Sequence, residues 1–133
     1  MAGKTERFIV SPQPVEELVY HNMSQIKRGA GSHNTFMDNS LVQEADILLH
    51  VREVKEVPST LEFAAEPHKH DVSQLYGIIG ELTIEVILDG ERHEVSGPAG
   101  IFIPAGILHT IRPLKGSGYV VLSMRAGKYE ASR

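Results

Sequence analysis

The 133 residues carry a net charge of −4, with 41% hydrophobic and 23% charged side chains. That size suits one globular domain, and the missing basic surplus argues against nucleic acid as a partner. Cysteine is absent, so disulfides, thiolate nucleophiles and Cys-type zinc sites are excluded together.

In chain order, residues 1–34 are the least regular part. A polar start, Met1 to Glu6, leads into only Phe8-Ile9-Val10, too short for a signal peptide. Pro14-Val15-Glu16-Glu17-Leu18 reads as the opening of a short helix, since proline is tolerated in a first turn. Gly29-Ala30-Gly31-Ser32 reads as a flexible turn. This extension is expected to cover a sheet edge or pair with a partner subunit.

From residue 35 to 133 the pattern is that of strands. Ile47 to Val54 is rich in β-branched residues and ends before Pro58. Leu61 to Ala65, Leu75 to Ile79, Leu82 to Leu88, Arg92 to Val95, Ile101 to Ile103, Leu108 to Ile111 and Tyr119 to Met124 follow as short strands. Asp89-Gly90 and Gly97-Pro98-Ala99-Gly100 supply turns. Many short strands with frequent turns imply an all-β sandwich or barrel. No apolar run approaches the ~20 residues that span a bilayer, so no membrane partner is expected, and a cytoplasmic location is compatible with the composition.

Four of the seven histidines lie between positions 68 and 109. His68 and His70 are two residues apart. On a strand they share a face, about 7 Å apart, close enough for one ion. Gln74 follows across an expected turn, and Pro104-Ala105-Gly106 turns the chain into His109. Lys69 and Asp71 alternate with the two histidines and should point away. His21, His33 and His93 read as surface residues.

His68 to Gly80 resembles the first motif of the cupin family: two histidines separated by one residue, then a carboxylate, then a glycine. Gly97 to His109 resembles the second, a Gly-rich turn followed by Pro-x-Gly-x-x-His. The resemblance covers residues 68–109 and implies a double-stranded β-helix, the jelly-roll β-barrel. It also implies one divalent transition metal ion (Fe, Ni, Co, Mn or Zn) held by His68, His70, His109 and Gln74. The chain departs from the family pattern in two places. Gln74 stands where the family has a glutamate, and Pro113 stands where an asparagine is common. With a neutral amide in place of a carboxylate, no ligand charge offsets the ion, which favours Lewis-acid chemistry. Gln74 also admits a reading as a hydrogen-bond partner behind the ligands.

Tyr76, two residues beyond Gln74, either orients a substrate and moves a proton or packs with its hydroxyl satisfied. Arg52 shares a strand face with His50. An inward face would let it clamp a carboxylate, and an outward face would leave it in solvent. On the last strand, Tyr119, Ser123 and Arg125 alternate with Val120, Leu122 and Met124, and either set lines the barrel. The expected function is a metal-dependent isomerase, lyase or cyclase acting on a small oxygenated substrate through Lewis-acid enolate stabilisation. A non-haem Fe(II) dioxygenase and a non-catalytic ligand-binding cupin are the alternatives. Single-domain cupins are usually dimers, so a homodimer is expected.

Overall fold

A computed structural model describes residues 5–15, 30–57 and 67–129. Among the described residues, the 3-10 turn Glu6–Phe8 is followed by nine strands. They are β1 (Gln13–Pro14), β2 (Ala30–Met37), β3 (Leu48–Val54), β4 (Gln74–Ile79), β5 (Leu82–Leu88), β6 (Glu91–Ser96), β7 (Ala99–Ile103), β8 (His109–Gly116) and β9 (Gly118–Met124). Two antiparallel sheets form, one of six strands in the order β1-β2-β3-β9-β4-β7 and one of three in the order β6-β5-β8.

The core lies between the sheets. Leu48, Tyr76, Ile78, Ile103, Leu122 and Met124 of the large sheet meet Ile84 and Val86 of the small one there. The strands β3, β4, β7 and β9 of the large sheet contribute residues to it. On β4 the inward set is Gln74, Tyr76 and Ile78, with Leu75 and Ile79 exposed. On β9 it is Val120, Leu122 and Met124, which settles the face that the alternation alone left open. Tyr119 is exposed on the opposite side.

The expected turns account for the hairpins. At Asp89-Gly90 both residues take positive φ, 51° and 82°, the backbone of a tight two-residue turn between β5 and β6. Gly118 lies so close to the carbonyl of Ile79 that a side chain would collide with it, which lets β9 start beside the end of β4.

Several expected boundaries need correcting. Pro14 is in β1, paired with Asn34, so no helix starts there; residues 16–18 lie outside the described residues. Ala30, Gly31 and Ser32 belong to β2 and do not form a turn. Glycine normally disfavours strands, but pairing with β3 overrides that preference, and the register slips between Ala30 and His33. β2 runs across position 34/35, so the irregular extension and the barrel share a strand. β8 continues past Ile111 to Gly116, with the buried Pro113 opposite Ile84 beside a bulge. The strand expected at Leu61 to Ala65 and the stop at Pro58 lie outside the described residues.

Candidate metal centre

His68 is in an isolated bridge, not a regular strand. Its N–H donates to the carbonyl of His109 at 3.0 Å, and the His109 N–H returns to the carbonyl of His68 at 2.8 Å. The Gly106 N–H donates to the carbonyl of His70 at 2.8 Å, and Gly106 takes φ 85° to turn the Pro104-Ala105-Gly106 loop into β8. Backbone bonds thus tie the His68–His70 segment to the start of β8. Lys69 and Asp71 are exposed while His68 and His70 are buried, as the alternation anticipates.

The three imidazoles converge. Their ring centroids stand 4.6 Å (His68 to His109), 5.0 Å (His68 to His70) and 5.4 Å (His70 to His109) apart. One nitrogen from each lies within 4.8 Å of the others. All three rings are buried. His109 Nδ1 sits 3.0 Å from the carbonyl of Ile107, so Nδ1 carries the proton and Nε2 presents its lone pair to the site. Burial lowers the His109 pKa below its ordinary value; the Ile107 carbonyl partly opposes this, and His68 adds to it. The neutral ring is the form that binds metal.

Gln74, from the first position of β4, is 2% exposed and places its amide 2.9 Å from His109 Nε2. Its Oε1 is buried and, among the described residues, has no hydrogen-bond partner. A buried amide oxygen without a partner is costly. Rotating the amide by half a turn brings that oxygen to the 2.9 Å position. Two donors on one ion, each ~2.1 Å from it and at right angles, stand about 3 Å apart. The residues therefore fit a bound ion: His68, His70 and His109 would hold it, with the Gln74 oxygen beside them.

Two further groups line the interior. Arg52 faces inward, since it lies on the same face of β3 as the buried Leu48, His50 and Val54, and burial lowers its pKa to about 10. Of the two facings that the alternation left open, the inward one is realised. Tyr76, 6% exposed, has its pKa raised to about 12, mainly by burial, with the Arg52 charge pulling the other way.

Sequence reasoning missed Tyr129. It follows β9 in the segment after Met124, is 2% exposed, and places its hydroxyl 3.2 Å from His70 Nε2. It carries no motif signal. Its neighbour His50 is buried as well, stacked on the Tyr129 ring at 6.1 Å and 3.4 Å from Thr35 Oγ1. His33 is half-buried and meets His50 edge-on at 6.0 Å, so it is not a simple surface residue. His93 is exposed beside Glu91, and His21 lies outside the described residues.

Two antiparallel sheets enclosing a cluster of histidines from two successive motifs define the cupin fold, and this chain has it. Many solved structures share it, among them three at low sequence identity. An RmlC-like cupin from Shewanella frigidimarina NCIMB 400 is 14% identical, with a TM-score of 0.54 over 77% of this chain and 80% of that one. KdgF from Halomonas sp. is 18% identical, with a TM-score of 0.54 over 87% and 86%. The polyketide cyclase RemF from Streptomyces resistomycificus is 23% identical, with a TM-score of 0.50 over 93% and 78%. No family model matches the sequence, and no curated protein matches it. Among the described residues no helix is long and apolar enough to cross a membrane.

Proposed function

We propose that this protein is a metal-dependent enzyme of the non-redox kind, an isomerase, lyase or cyclase acting on a small substrate with a carboxylate or carbonyl group. The observation that carries the reading is the uncharged donor set, three imidazoles and the Gln74 amide, inside a barrel whose wall also carries Arg52 and Tyr76. When bound, a divalent ion supplies Lewis-acid polarisation of a substrate oxygen and so stabilises enolate character. Arg52 stays charged at neutral pH and offers a planar fork to a carboxylate. Tyr76 stays protonated, so its hydroxyl can donate a hydrogen bond to a substrate oxygen. The likeness to a polyketide cyclase supports this reading, since the same fold carries cyclisation chemistry there.

The test is turnover of a panel of small oxo- and hydroxy-acids by protein loaded with one metal at a time, with dissolved oxygen monitored. Conversion without oxygen consumption is expected. Stoichiometric oxygen uptake would replace the reading with a dioxygenase. Tight binding with no conversion under any metal would replace it with a ligand-binding role. Arg52→Gln is expected to raise KM for a carboxylate substrate about tenfold and leave metal content unchanged.

A further inference from the structure

The segment after β9 returns to the barrel mouth and is fixed there by packing. The Asn39 N–H donates to the Gly127 carbonyl at 2.8 Å, and any side chain at Gly127 would run into the Asn39 amide. Two residues on, the Tyr129 ring lies edge-on to His70 at 5.1 Å and stacks on His50. Its hydroxyl stands 3.2 Å from His70 Nε2. An ion ~2.1 Å from that nitrogen can be no more than about 5.3 Å from the phenol oxygen, the sum of the two distances. A ligand atom ~2.1 Å from the ion on the side facing Tyr129 can then come within hydrogen-bond reach of the phenol. Gln74 occupies the corresponding place at His109.

We propose that Tyr129 is a ligand-contacting residue of this site, its hydroxyl donating a hydrogen bond to an anionic oxygen or nitrogen ligand seated beside the three imidazoles. The inference rests on the metal-centre reading above. It separates the phenol's task from that of Gln74: the amide belongs to the ion, and the phenol belongs to what the ion binds.

The experiment uses full-length protein loaded with Co(II) and titrated with azide, followed by the visible spectrum. Wild type should take up cobalt and bind azide. Tyr129→Phe should keep the cobalt content and bind azide about tenfold more weakly, the loss of one hydrogen bond to a charged acceptor. Equal azide affinity in the two proteins would overturn the inference alone. Loss of cobalt in Tyr129→Phe would also overturn it, by making Tyr129 a metal-retaining residue. A wild type that takes up no cobalt would overturn it together with the metal-centre reading. If the variant does not fold, a crystal structure of the wild-type azide complex decides: a Tyr129 Oη to azide distance near 3 Å supports the assignment, and one beyond about 4 Å overturns it.

Discussion

Replacing Gln74 with glutamate keeps the side chain's shape and adds one negative charge next to His109 Nε2. Metal affinity should rise, because a carboxylate oxygen is the stronger donor. The same charge repels an anionic substrate and weakens the Lewis acid. Turnover should therefore fall by about tenfold or more, ~1.4 kcal/mol of barrier. Competition with a chromophoric chelator measures the first effect and steady-state kinetics the second. Unchanged affinity would place Gln74 outside the ligand set. A pH dependence follows from His109, whose pKa is lowered in the fold. The unfolded chain takes up this proton near ~6.5 and the folded protein only at lower pH. Between the two, the unfolded state binds more protons, so stability falls as pH falls. Thermal unfolding of chelator-treated protein from pH 7.5 to 5 should show that loss, and His109→Gln should flatten the slope. His68 and His70 were legible as a pair because their spacing is local, and His109 joined them through the resemblance of Gly97 to His109 to the second cupin motif. Tyr129 was not, because nothing around Lys128 and Tyr129 in the sequence indicates that the segment doubles back to His70.

Strands β4 to β9 are close to what periodicity and turn residues imply, because each neighbouring pair is joined by a short connection whose chemistry is visible: Asp89-Gly90, Gly97-Pro98, Pro104 to Gly106. β2 was hidden, since its Gly31 and Ser32 read as a turn and its pairing partner β3 supplies the missing preference from elsewhere in the chain. Inward or outward facing of Arg52 was undecidable for a similar reason. Only the pairing of β3 with β9 and of β9 with β4 shows which face meets Tyr76. Two glycines separate local from tertiary demands. Gly90 has φ 82° with open space around it, so Gly90→Ala should cost only the left-handed backbone penalty, about 1 kcal/mol. Gly118 meets the Ile79 main chain, which cannot step aside without breaking the β4–β9 pairing, so Gly118→Ala should cost more than ~2 kcal/mol. Urea unfolding of both variants compares them directly, and the reverse order would contradict this account of how β9 starts.

Taken as one object, the molecule places its candidate ligands on three pieces of chain: the bridge at 68–70, the start of β4 and the start of β8. A bound ion would therefore add a cross-link between the two sheets, and binding to the folded form alone raises stability by mass action. Saturation with Zn(II) should raise Tm over chelator-treated protein, and His70→Ala should abolish both the bound metal and the increment. An unchanged Tm with one metal per chain would mean that the ion sits on a flexible surface site. We also propose the homodimer expected for a single-domain cupin, with light scattering as the check on its mass. The mutual backbone bonds between His68 and His109 have a consequence for speed. They hold the two rings at their spacing with no ion needed to gather them, so loading requires no folding step. What remains to limit the rate is the departure of water from the arriving ion. Uptake of different divalent ions should then follow their own order of water exchange, and the same order should survive mutations elsewhere in the barrel.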